Sequence, residues 1–166
     1  MIRTRSIGEI SLHATAVIYG ESGVLIFGPS GSGKSALALA LLAHANGAGA
    51  FGALIGDDRV FVRQADGRLI AWGAGNMAGV IERRAVGLIT VQPEAAAVVR
   101  VAVELCERER RWPRMPEDDD SLIVGRIALP RIALDSSLSI CDQALVVDER
   151  LAVLTIGSSR AISNFA

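Results

Sequence analysis

One short segment near the start of the chain constrains its fold more than any other. It reads Gly28-Pro29-Ser30-Gly31-Ser32-Gly33-Lys34-Ser35. The segment fits the pattern G-x-x-x-x-G-K-[ST], and it lies between a short apolar run and a stretch rich in Ala and Leu. A strand, a glycine-rich turn and a helix in that order are the context in which this pattern forms a phosphate-binding loop. The sequence therefore predicts an α/β domain that binds a nucleotide by its phosphates.

The residue types in this loop match the parts of a polyphosphate. Glycines let backbone N–H groups turn inward, and a helix that starts near Gly33 adds the positive end of its dipole. Lys34 supplies a charge for the β- and γ-phosphates, and the Ser35 hydroxyl is placed to ligate Mg²⁺. We expect ATP as the substrate and Mg²⁺ as the cofactor.

The rest of the pattern predicts a mixed β-sheet. Ala65-Asp66-Gly67-Arg68 is typical of a hairpin turn and implies antiparallel pairing, so a uniformly parallel sheet is not expected. The helix after Gly33 is apolar on all sides and should be buried, with its end near Asn46-Gly47. Strands are predicted at His13 to Tyr19, Val24 to Phe27, Phe51 to Ile55, Val60 to Val62 and Val98 to Leu105.

Composition narrows the class of protein. With 166 residues, we expect a single domain over 1–166. A formal net charge of -1 gives no indication of a broad positive surface that would bind nucleic acid. Mean hydropathy is +0.39, yet no apolar run is long enough to span a membrane, so the apolar excess favours subunit contacts. The first nine residues do not resemble a signal peptide, and the isolated Cys106 and Cys141 are expected to be buried in a cytoplasmic protein.

Candidate catalytic acids follow the loop by some two dozen residues, where Asp57 and Asp58 end an apolar run. Adjacent carboxylates on an extended chain point to opposite faces, so the two are expected to have different roles, one toward the reacting hydroxyl and one toward a metal or a structural partner. The alternative is an ordinary turn, for which Asp-Asp is also typical. His13 has two interpretations by itself, structural or functional.

Two charged segments each have two interpretations. Between Ala78 and Gly87, an acid and two bases interrupt apolar residues, which indicates either site residues or a solvent-facing edge. The stretch from Glu107 to Asp120 is charged and contains two prolines. It is typical of a mobile loop that closes over a site, or of a connector without a role.

Together these pieces resemble the catalytic domain of bacterial HPr kinase/phosphorylase. The resemblance depends on the order of four motifs along the chain. They are His-Ala-Thr at 13–15, the loop at 28–35, Asp-Asp-Arg-Val at 57–60, and Glu82 with Arg84 and Gly87. Ala85 stands where the family has glycine, and the family's N-terminal domain has no counterpart before His13, so the resemblance is to a short form.

The resemblance implies an ATP- and Mg²⁺-dependent kinase that phosphorylates a serine of the phosphocarrier HPr, reverses this by phosphorolysis, and regulates the phosphotransferase system and carbon metabolism. It implies acid/base catalysis by Asp57 and Asp58 with His13 beside them, metal binding by Ser35 and Glu82, and a loop arginine that best matches Arg114. It also implies a mixed sheet like that of phosphoenolpyruvate carboxykinase and a homo-oligomer, a hexamer in the family.

Two other functions fit the same motifs. One is a small-molecule P-loop kinase. The other is a regulator that senses nucleotide without catalysis and acts through a sensor histidine kinase or a phosphocarrier.

Overall fold

The structure is a computed structural model that describes residues 8–107 and 120–163, with side chains to residue 154. The helices are α1 (Lys34–Gly47) and α2 (Ile140–Ser163), and a short 3₁₀ turn lies at Gly75–Met77. The strands are β1 (Ile10–Leu12), β2 (Thr15–Tyr19), β3 (Ser22–Phe27), β4 (Gly52–Gly56), β5 (Val60–Ala65), β6 (Arg68–Gly73), β7 (Val80–Arg83), β8 (Gly87–Thr90), β9 (Ala97–Cys106), β10 (Ser121–Val124) and β11 (Ile127–Asp135).

The main sheet is mixed, as predicted. Its order is β1-β5-β6-β9-β3-β2-β4, and β11 also pairs with β9. The three strands β3, β9 and β11 run parallel, whereas β2 is antiparallel to both β3 and β4. Because parallel strands end at the same edge, the carboxyl ends of β3, β9 and β11 lie together. That edge carries the glycine-rich loop.

Apolar side chains cover both faces of the sheet. On one face, a single buried cluster contains Leu37 and Leu41 of α1, Val101 and Val103 of β9, and Val147 of α2. On the other face, a second cluster surrounds the hairpin of β5 and β6. Burying both faces explains the high apolar content without reference to a membrane. None of the helices in the described ranges is long and apolar enough to cross one.

A polar cluster fixes α2 against α1 and β2. The Tyr19 hydroxyl donates to Asp148 Oδ1 at 2.6 Å, the Tyr19 ring stacks on His44, and His44 Nε2 lies 3.6 Å from Asp148 Oδ2. Burial, together with the hydrogen bond and the negative charge of Asp148, raises the pKa of the Tyr19 hydroxyl well above its usual range. Tyr19 therefore stays a neutral donor over the physiological pH range.

Local signals predicted the elements near the loop well. The helix ends at Gly47, and the hairpin turn at Asp66-Gly67 is confirmed, with positive φ at both residues. The first predicted strand starts at Thr15 instead of His13, which leaves His13 free of the sheet ladder. Burial of both cysteines was a wrong expectation, since Cys141 at the start of α2 is exposed.

Candidate active site

The glycine-rich loop leaves the carboxyl end of β3 and turns into α1. Gly31 and Gly33 have φ of +79° and +100°, a conformation that side chains with a Cβ rarely adopt. At Gly28 the reason for glycine is space, because a Cβ there would lie 2.5 Å from Ser32 Oγ and 3.0 Å from Leu105 Cβ. The loop is therefore shaped by three backbone positions that only glycine fills without strain.

Lys34 is the chain's only lysine, and it is 7% exposed. Its ammonium donates to the carbonyl oxygens of Gly28 and Pro29, each at 3.0 Å, and lies 3.3 Å from His13 Nε2. An ammonium has three donors and no acceptor, so these three contacts use all of them. The charge is therefore held inside the loop.

Asp57 follows β4 and lies beside the start of α1. Its carboxylate accepts the Ser35 hydroxyl at 3.0 and 3.1 Å, and it accepts the buried Thr15 hydroxyl at 2.7 Å. An ionised carboxylate only accepts, so both hydroxyls must donate to it. This arrangement directs the lone pairs of Ser35 away from Asp57. Sequence reasoning included Thr15 in the His-Ala-Thr motif at 13–15 but assigned it no role of its own.

Asp58 diverges from Asp57 because of a tight turn. Arg59 N donates to Asp57 O at 2.7 Å, and the residue between them, Asp58, has φ of +61°. Such three-residue turns with positive φ are rare and strained, and strain of this kind concentrates at functional sites. The two acids have different partners, and it is this tight turn that separates them; the alternation of an extended strand, which was expected to do so, is absent at Asp58.

His13 joins Asp58 to the loop lysine. Its Nδ1 lies 3.1 Å from Asp58 Oδ1, while its Nε2 accepts from Lys34. Since an ammonium can only donate, the ring proton belongs on Nδ1, where it faces the carboxylate. The Asp58 side chain is 82% exposed and that of His13 54%. The carboxylate of Asp58, which contacts His13, is thus open to solvent, and it adjoins Asp57, the residue that Ser35 contacts.

Glu82 lies on the exposed hairpin of β7 and β8. Its backbone N–H is 3.5 Å from Asp57 Oδ2, a long contact that places the start of this hairpin next to the acid. Ala85, at the hairpin turn, has φ of +67°, a left-handed backbone conformation that costs an L-residue roughly 1–2 kcal/mol. The charged segment predicted at 78–87 is therefore a solvent-facing edge that also adjoins the site. Arg114 lies outside the described residues.

A network of three charges ties the strand ends behind the loop. Arg131 donates to Glu104 Oε2 at 2.6 Å and to Asp120 Oδ1 at 3.0 Å. Burial disfavours the charged guanidinium, but the hydrogen bonds to Asp120 and Glu104 outweigh it and raise the pKa of Arg131. Because Glu104 pairs with Phe27 in the sheet, this network supports the strand from which the loop departs.

The loop, its lysine and serine and the neighbouring acid together define a P-loop domain. The model of the HPr serine kinase C-terminal domain matches residues 6–120, which is more than half of the chain. The chain belongs to that family.

Individual relatives agree. The HPr kinase/phosphorylase of Enterococcus faecalis is 33% identical over 135 residues, covering 75% of this chain and 41% of that protein. The enzyme of the same name from an Azoarcus species is 32% identical over 137 residues, covering 76% and 42%. That from Clostridium botulinum is 39% identical over 83 residues, covering 50% and 25%. The chain thus spans between a quarter and about two fifths of these curated relatives.

A solved structure shows the fold. The HPr(Ser) kinase/phosphatase of Coxiella burnetii superposes with a TM-score of 0.72 at 23% identity, covering 90% of this chain and 99% of that one. The α/β fold predicted from the sequence, a P-loop domain with a mixed sheet, is confirmed.

Proposed function

We propose that the chain is the catalytic domain of a Mg²⁺- and ATP-dependent kinase that phosphorylates a serine of the phosphocarrier HPr. One observation carries this proposal: the connected contacts from Asp58 through His13 to Lys34, beside the Ser35–Asp57 pair. They bring a phosphate-binding charge and an accessible carboxylate to one place. Family membership supports HPr as the substrate, since the relatives are named HPr kinase/phosphorylase.

ATP is proposed to bind with its phosphates in the loop at 28–35. Backbone N–H groups of the loop and the first turn of α1 face the phosphate oxygens, and Lys34 exchanges its carbonyl partners for them. The buried position of the lysine strengthens this interaction, because the ammonium is screened less than it is in bulk water.

A magnesium ion would be held by Ser35 and Glu82. Hydroxyl and carboxylate oxygens are the donors that Mg²⁺ prefers, and the ion takes few protein ligands beside the substrate phosphates. The Ser35 proton is already directed at Asp57, which leaves oxygen lone pairs for a cation, so the donor set fits. When bound, the metal supplies positive charge to the phosphate oxygens.

Asp58 is the proposed acid/base. It can accept the proton of the substrate serine as the hydroxyl attacks the γ-phosphorus, and it returns the proton in the reverse direction. Its exposure suits a protein substrate, and His13 holds its orientation. Asp57 is less suited to this role, because both of its oxygens already accept hydroxyl protons.

The setting of the reaction is part of the proposal. With HPr and ATP as its proposed substrates, we propose that the enzyme acts in the cytoplasm. A homo-oligomer, which the family resemblance implies, is supported by apolar side chains that stand exposed on the β7–β8 hairpin, namely Val86 at 64% and Leu88 at 68%.

Phosphorylation of HPr tests the proposal directly. The protein is incubated with labelled ATP, Mg²⁺ and HPr of its own organism, and we expect label on a serine of HPr. An HPr in which that serine is replaced by Ala is the control. Phosphorolysis is followed in the same preparation as release of pyrophosphate from seryl-phosphorylated HPr and phosphate. Tight ATP binding without transfer to HPr would remove the kinase proposal.

The hydroxyl of Thr15 gives a second test. Thr15→Val keeps the shape but removes the donor to Asp57, so the carboxylate loses an orienting partner behind Ser35. We expect Mg²⁺ affinity in the presence of ATP to fall about tenfold, the low end of what such supporting groups contribute. Mg²⁺ titrations monitored by ATP binding measure this.

Two variants control that experiment. Thr15→Ser should restore Mg²⁺ affinity, and Thr90→Val, on an exposed strand position, should leave it unchanged. ATP affinity without Mg²⁺ should be the same in all three variants. An equal loss with and without Mg²⁺ would show a general disturbance of the loop and contradict the assigned role.

A further inference from the structure

A cavity of about 200 Å³ opens beside the phosphate loop, on the side away from Asp57. Residues 29–32 form one wall, and Leu105, Glu107 and Ser136 form the rest. In the sheet, β9 lies on one side of β3, while β2 and β4 lie on the other. Because Asp57 follows β4 and Glu107 follows β9, the cavity and the acids flank the loop from opposite directions.

This placement puts the cavity on the side of the loop where the nucleoside of a bound nucleotide would lie, away from the reacting phosphate. Lys34 and Ser35 lie with Asp57 and Asp58 at one end of the loop, so the terminal phosphate belongs there. The nucleoside must then leave the loop on the other side. There the parallel strands β3, β9 and β11 end together, and ligands of open α/β sheets lie in the crevice beyond such ends.

The size of the cavity selects which part of the nucleoside fits. Pockets for whole small ligands measure about 300–1,000 Å³, so about 200 Å³ suits one portion of a nucleotide. Ser30 and Ser136 carry hydroxyl groups and Glu107 carries a carboxylate, and all three residues line the cavity. A base prefers flat apolar or aromatic walls, whereas a sugar offers hydroxyls to polar groups.

The walls are fixed by hydrogen bonds within the strand ends. Ser136 N donates to Cys106 O at 2.9 Å, which joins the end of β11 to the end of β9. Ser137 N donates to Asp135 Oδ1 at 2.8 Å and closes the turn that carries Ser136. Leu105, 1% exposed, lies beneath the loop. The part of the wall formed by Leu105 and Ser136 is therefore held in place.

Resting on the proposed use of ATP, we propose that this cavity binds the ribose of the nucleotide and that Glu107 accepts a hydrogen bond from its 2′- or 3′-hydroxyl. An ionised carboxylate is only an acceptor, and sugar hydroxyls are donors. Without such a bond, a negative charge close to a triphosphate weakens binding by repulsion. Removing Glu107 therefore weakens ATP binding if the hydrogen bond exists, and strengthens ATP binding if only the repulsion exists.

Calorimetry with ATP and 2′,3′-dideoxyATP tests the proposal on the wild-type protein, Glu107→Ala and Glu21→Ala. Glu21 is an exposed glutamate before β3, some 20 Å from the loop at about 3.3 Å per strand residue, so Glu21→Ala is the matched control. We expect the wild type and the control to bind the dideoxy nucleotide about tenfold more weakly, as for one hydrogen bond to a charged group. Glu107→Ala should bind both nucleotides equally and weakly.

Each contrary outcome has a separate meaning. Equal binding of the two nucleotides by the wild type, or tighter ATP binding by Glu107→Ala, overturns the ribose site while leaving the kinase proposal intact. Discrimination of GTP from ATP without discrimination of the sugar would place the base in the cavity and overturns it too. If no nucleotide binds to any variant, the proposed function fails as well.

Discussion

Asp58→Asn is expected to reduce phosphotransfer to HPr by a factor of about 10²–10⁴, the usual contribution of a general acid or base, while ATP still binds. The amide keeps the shape of the side chain and can still accept the His13 proton, but it cannot take up the proton of a serine. Asn also tolerates positive φ as well as Asp does, so the strained turn at φ +61° should persist. Initial rates of HPr labelling and ATP calorimetry measure the two effects.

Asp66→Asn is the matched control for this experiment. Asp66 also has a positive φ, +49°, and it lies in the hairpin turn between β5 and β6, away from the loop. Its replacement should leave the rate unchanged. If Asp58→Asn kept near-normal turnover and Asp57→Asn lost transfer without losing Mg²⁺ affinity, the roles of the two acids would be reversed.

Lys34→Met should lower turnover by about 10²–10³, the loss typical of removing one preorganised donor to developing charge, and should weaken ATP binding as well. Met fills nearly the same volume in the buried site, so the effect comes from the lost ammonium. HPr labelling and ATP calorimetry provide the measurement, and the melting temperature shows whether the fold remains.

Lys34→Arg separates charge from geometry. Arg keeps the positive charge, but its planar guanidinium cannot reproduce a compact donor that points to three acceptors. We therefore expect Arg to restore little of the activity. Full activity in Lys34→Arg would show that charge alone suffices, and unchanged ATP affinity in Lys34→Met would contradict the proposed binding mode.

The sequence was sufficient wherever the signal is local. The loop, α1 and the hairpin turn at Asp66-Gly67 depend on neighbouring residues, and they were predicted with small errors at their ends. Asp57 and Asp58 became candidate acids because they follow an apolar run that was predicted as a strand, and that strand is β4. Helix α2 was missed although its buried Ala144, Val147 and Leu151 recur at helical spacing.

Contacts between segments far apart in the chain could not be predicted from the sequence. Thr15 and Ser35 both donate to Asp57, from which they are 42 and 22 residues away in the chain. The contact with Thr15 depends on the pairing of β2 with β4. The contacts of His13 with Asp58 and Lys34 likewise depend on the order of strands in the sheet. Strand β11 was not predicted because Pro130 interrupts its pattern, and Pro lacks the N–H that a central strand uses.

The internal contacts of Lys34 hold its ammonium at one place inside the loop. Gly28 O, Pro29 O and His13 Nε2 all contact the ammonium, so the rotamer entropy of this long side chain is lost during folding and not on association. A ligand that takes over the ammonium must replace these three contacts, and the proposed triphosphate has several anionic oxygens with which to do so.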